Sequence, residues 1–146
     1  MKINEKLLPK DIITAYRNTD YSITTSGVYE KIPLEVYESV GNKLTLNSSG
    51  EVVIGAGVTK IKTSAKICLV GANLTAGNKN LVIQKNGSIV DRIWARIDAY
   101  NSYMAMPSRL ISVTEGDVIA LAFYGTQNDR ISGTTLFFNF TVEVVE

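Results

Sequence analysis

The sequence has no histidine and a single cysteine. Without histidine a chain lacks the commonest general base and the commonest ligand of catalytic zinc, which effectively excludes hydrolase triads and zinc chemistry. One thiol, Cys68, cannot form a disulfide within the chain, so stability does not depend on an oxidising compartment. Buried, it reads as a small hydrophobe. Charge of one sign is also missing. Fifteen Lys and Arg face fourteen Asp and Glu, a formal +1, which leaves no footprint for nucleic acid or an anionic membrane. No apolar run is long enough for a signal peptide or a membrane span, and the opening MKINEKLLPKDIITAY is punctuated by charges. The expectation is a chain without an export signal and without membrane insertion. Internal repeats and low-complexity tracts are absent too, so 146 residues read as one domain with its own core.

What is present is alternation. Apolar residues make up 45% of the chain and charged ones 20%, a composition that folds, and their period is two far more often than 3.6. Between Val58 and Val70, Ile61, Ala65, Ile67 and Leu69 fall on one face, and Lys60, Lys62, Ser64 and Lys66 on the other. Further strands are expected at 34–40, 43–46, 52–54, 110–113, 118–124 and 135–145, separated by turn signals such as NSSG, GAG, TAGN and TEGD. In IQKNGSIV, Asn86 and Gly87 tolerate the two positive φ angles of a type I′ turn, so 81–85 and 88–97 should pair as a hairpin. The fold class is therefore all-β, a sandwich or barrel. Residues 1–30 break the pattern. Pro9 interrupts any helix spanning it, and the segment reads as an N-terminal arm with one helical turn at 11–17, followed by a β domain at 31–146.

Catalytic constellations are missing. Near pairs such as Glu35 with Glu38, or Asp91 with Asp98, have the spacing of solvated strand positions. Asp117, in the turn with Gly116, is placed to cap backbone amides rather than to hold calcium. Nothing in the chain points to a metal or cofactor. Two stretches stand above this background. In DRIWARID, Ile93, Ala95 and Ile97 fall on one face, and Arg92, Trp94 and Arg96 on the other, a composition suited to an interface. The bland alternative is a Trp tucked under a loop. AYNSYMAMPS, with Tyr100, Asn101 and Tyr103, has the make-up of a recognition loop. Its bland alternative is a connection whose Met104 and Met106 plug the core.

In order along the chain, these landmarks resemble the jelly-roll family shared by the complement component 1q globular head and the tumour necrosis factors. LVIQKNGSIV resembles that family's strand, Asn-Gly turn and strand. SVTEGDVIAL resembles its Gly-Asp element, with Val113, Gly116, Asp117, Ile119 and Leu121 at matching positions. EVVIGAGVTKIKTSAKI resembles the strand, glycine and long core strand that come earlier, and TTLFFNFTVEVV the aromatic final strand. The resemblance spans roughly residues 34–146 and implies an antiparallel jelly-roll β-sandwich, typically a homotrimer, that binds proteins or cell-surface ligands and is not an enzyme. Complement heads carry aromatics where this chain has Gly57, Thr59 and Ile61. That departure, with the absence of a stalk and of paired cysteines, points to the microbial and viral branch.

The leading expectation is a bacteriophage virion protein of a tail, baseplate or capsid fibre, assembled in the host cytoplasm. Its partners would be other virion proteins and a host cell-surface glycan or protein. A bacterial adhesion or carbohydrate-binding module is the second reading, and an enzyme the third. For the trimer, Leu136, Phe138, Phe140, Val142 and Val144 are assigned to the core, which turns Phe137 outward. With Ile119, Leu121 and Phe123 inward, Ala120, Ala122 and Tyr124 would join Phe137 and Trp94 in an apolar patch. The alternative is that Phe137 fills one end of the core.

Overall fold

The alternating stretches pair as strands because each then buries its apolar side while its backbone groups bond to a neighbour. The computed structural model describes residues 10–71, 74–99, 101–134 and 136–146, and every regular element among them is a β-strand. In chain order these are β1 (Ile12–Tyr16), β2 (Tyr21–Ser22), β3 (Tyr29–Lys31), β4 (Val36–Val40), β5 (Leu44–Leu46), β6 (Val52–Ile54) and β7 (Lys60–Val70). There follow β8 (Gly77–Lys85), β9 (Ser88–Ile97), β10 (Ser102–Ser112), β11 (Val118–Tyr124), β12 (Arg130–Ile131) and β13 (Asn139–Val144).

Two antiparallel sheets result. The seven-stranded sheet runs β2-β12-β7-β13-β1-β4, with β10 on the other edge of β7. The six-stranded sheet runs β5-β6-β11-β8-β9, with β3 also paired to β11. Their facing sides enclose one core, built from Ile13, Ile61, Ile67, Leu69, Phe138, Phe140 and Val142 on one side. Val52, Ile54, Leu81, Ile83, Ile119, Leu121 and Phe123 supply the other. The fold is an antiparallel jelly-roll sandwich.

Three expectations are corrected. The helical turn at 11–17 is strand β1, whose Ile13 and Ala15 are fully buried between β13 and β4, so residues 12–31 belong to the sandwich rather than to an arm. Ile12, Ile13, Thr14, Ala15 is a short strand pattern, and one of its two partner strands, β13, lies over a hundred residues away. Residues 1–9 lie outside the described residues. The recognition loop at 99–108 is mostly β10, an eleven-residue strand whose Met104 and Met106 enter the core opposite Ile67 and Ala65. The last strand starts at Asn139 rather than Thr135, so Leu136 is 74% exposed and not core.

Buried polar groups tie the loops down. Lys79, on the core side of β8, donates from Nζ to Asp129 Oδ2 at 2.6 Å and to Thr126 Oγ1 at 3.2 Å, with both charged side chains almost wholly buried. Asp129 Oδ2 also accepts the Thr126 amide at 2.8 Å, which closes the loop between β11 and β12 over the end of the sandwich. In the next loop Glu30 accepts from Tyr21 Oη, Thr24 Oγ1 and the amides of Thr24 and Thr25. Burial, helped by that bond to Glu30, pushes the Tyr21 phenol up to about 12. Burial would raise the Glu30 pKa, but the donors outweigh it and hold the carboxyl below its usual range.

Candidate functional site: the two outer faces of the sandwich

Because opposite residues of paired strands share a face, the register sorts the candidate residues onto two outer surfaces. On the six-stranded sheet one row runs across β3, β11, β8 and β9 as Tyr29, Tyr124, Asn80 and Trp94. The Tyr29 and Tyr124 rings are tilted with centroids 5.2 Å apart, and Trp94 is 65% exposed. The next row is Lys31, Ala122, Val82 and Arg92. Trp94, Tyr124, Ala120 and Ala122 thus share a face that points away from the core cluster. Ala120 and Ala122 are nonetheless buried, since a methyl on the central strand sits below the long side chains opposite it, such as Lys31 and Gln84. They do not form an exposed patch with Trp94.

Phe137 belongs to the other face. Its ring lies 6.1 Å from that of Tyr103, which stands opposite Cys68 on the outer side of the seven-stranded sheet. Lys66 Nζ sits 6.0 Å from the Tyr103 ring and donates to the Leu136 carbonyl at 3.1 Å. The structure therefore separates Phe137 from Trp94 and joins it to Tyr103, a residue the sequence had assigned to a recognition loop. Asn101 sits in the turn before β10 with a φ of 61°, and Tyr100 lies outside the described residues. Cys68 is buried beside them. Burial pushes its thiol pKa up, with Tyr103 and Lys66 offsetting part of that shift.

The rest of this face has a flat centre and an apolar rim. Thr14, Thr141 and Ser64 stand in one row across β1, β13 and β7, with Thr14 and Thr141 joined through their hydroxyls at 3.2 Å. Around them lie Tyr103 (52% exposed), Leu110 (59% exposed), Leu136 and Val40. Two ion pairs lie here, Lys62 with Glu143 at 3.2 Å and Lys60 with Glu146 at 3.1 Å, while Lys66 and Glu38 make none among the described residues. Two shallow depressions of about 240 and 270 Å³ share Thr14 and Glu38 on the same side.

The turn residues meet one another. Asn86 (φ 50°) and Gly87 (φ 83°) form the tip of the β8–β9 hairpin. Asn86 donates from Nδ2 to Asp117 Oδ1 at 2.8 Å and accepts the Val118 amide on Oδ1 at 2.9 Å. Asp117 Oδ2 accepts the Thr114 amide at 2.9 Å, across a turn in which Gly116 has a φ of 86°. The Asn86 bond and then the Thr114 amide hold the Asp117 carboxyl below its ordinary range. One clasp thus joins the two turns singled out in the sequence. No group of three or more His, Cys, Asp or Glu side chains able to hold a metal occurs among the described residues.

No family model matches the chain, and no curated protein matches it. Solved structures do. Murine APRIL superposes with a TM-score of 0.71 at 9% identity, covering 94% of this chain and all of that one. Eiger TNF from S. frugiperda gives 0.63 at 12% identity over 95% and 94% of the two chains, and pika GITRL gives 0.55 at 12% identity over 94% and 98%. At such identities the likeness concerns the fold, which is the jelly roll of tumour necrosis factor-like structures.

Proposed function

We propose that this chain is a non-enzymatic, homotrimeric assembly and binding module, and more narrowly a structural subunit of a bacteriophage tail, baseplate or capsid fibre. One observation supports the trimer above the others. The outer side of the seven-stranded sheet combines small hydroxyl residues at its centre, two lysine–glutamate pairs, and exposed Tyr103, Leu110 and Leu136 beside Phe137. A surface that keeps large apolar groups in water gains by meeting copies of itself. The jelly-roll resemblance of the sequence points the same way. The virion reading rests on the sequence resemblance and is the narrower part of the proposal.

Light scattering tests the assembly. The expected mass is three times the 16.0 kDa of the chain. A monomer at micromolar concentration overturns the trimer. Labelling of assembled phage particles with an antibody to this chain tests the virion assignment. Label on cell surfaces and none on particles would replace it with an adhesion module.

A further inference from the structure

We infer that the outer face of β9 is a binding site for carboxylated saccharides, with Trp94 as the stacking platform and Arg92 and Arg96 as the carboxylate-binding groups. This names a ligand class for the proposed module and rests on its being a binding protein. Trp94 projects from an edge strand with 65% of its surface in water, the most exposed aromatic side chain described. Residues two apart on a strand are separated by about 6.6 Å on one face. Arg92 and Arg96 therefore flank the indole on both sides. On β8, Asn80 stands opposite Trp94 and Asn78 opposite Arg96.

The surroundings select the ligand. A protein interface needs a cluster of apolar side chains at its centre, but Ile93 and Ala95 turn toward the core, and the indole is bordered in its own row and beside it by Arg92, Arg96, Asn78 and Asn80, with Val82 the one apolar neighbour and fully buried. One flat apolar ring framed by planar donors matches a pyranose. Its C–H face stacks on the indole, while amides and guanidinium groups bond its hydroxyls and carboxylate. Charge favours an acidic sugar. Arg92 makes no ion pair among the described residues, and Arg96 pairs only with Asp98, at 3.1 Å, with both side chains mostly in solvent. Such a pair is weak and exchangeable.

Trp94 is the chain's one tryptophan, so its fluorescence reports on this spot alone. The experiment titrates the full chain with tetragalacturonate and, in parallel, with the neutral maltotetraose. A saturable change is expected with the uronate, and binding at least about tenfold weaker with the neutral sugar. By calorimetry, Trp94→Leu should abolish binding, and Arg92→Ala with Arg96→Ala should weaken it by at least about tenfold without altering the circular dichroism. Equal binding of both sugars, or no saturable change up to about 10 mM uronate, a Kd range in which binding energy falls under about 3 kcal/mol, overturns the inference. So does a spectral shift that follows protein concentration without sugar, which would make this face a contact between copies. The light-scattering mass of the same samples reports the trimer separately.

Discussion

At the scale of single residues, the side chains that decide stability are polar ones. Lys79 lies on the apolar side of β8 with Leu81 and Ile83, and the Asp129 carboxylate, with Thr126 Oγ1, makes its burial tolerable. Lys79→Met leaves that carboxylate buried without its partner, and should cost about 3–5 kcal/mol in urea unfolding, whereas Lys79→Met with Asp129→Leu should recover most of the loss. Alternation in NKNLVIQK points Lys79 inward, so a buried lysine was legible; its partner fifty residues on was not. Asp117 offers a pH test. Its folded pKa is depressed, so its contribution is present above the unfolded value near 3.8 and is lost as pH falls through the folded one. The melting temperature of Asp117→Asn should therefore lie below that of the parent at pH 7, and the gap should close in strong acid.

Among elements, strands with a clear apolar pattern could be read whatever their length. β6, β9 and β11 lie where their patterns put them: β6 and β9 alternate, and β11 is apolar and buried on both sides. The five residues of β1 carry too little periodicity to be told from an arm, and their burial comes from β4 and from β13, far along the chain. Of β10 only the end, expected at 110–113, could be read, for a different reason. Its edge position leaves one side wet, and its bulge between Met106 and Arg109 breaks the alternation around Pro107. Deleting residues 1–20 removes β1 with Ile13 and Ala15, and the truncated chain should fail to give a cooperative melt. Gly87→Val tests the hairpin tip. No heavy atom lies within 4 Å of the added Cβ, so the loss should come from the positive φ alone, about 1–2 kcal/mol.

For the whole molecule, the candidate patch read from the sequence divides between two faces. Alternation assigns a residue to one side of its strand, but it does not say which sheet the strand joins, and that is why Phe137 and Trp94 were grouped. The division makes the two proposals independently testable. Phe137→Glu should bring the scattering mass down toward that of one chain while the circular dichroism stays that of a β-sheet, and it should leave the response of Trp94 to uronate unchanged. One further consequence follows from the pairing of Ile13 with Val142 and of Ser64 with Thr141. β7 and β1 both wait for β13, so during synthesis one edge of β7 stays largely open even after β10 has paired with the other. Folding of the larger sheet is thus gated by the arrival of β13. Refolding should be slow, in the range of milliseconds to seconds, and an elongating chain is most exposed to aggregation before β13 has paired.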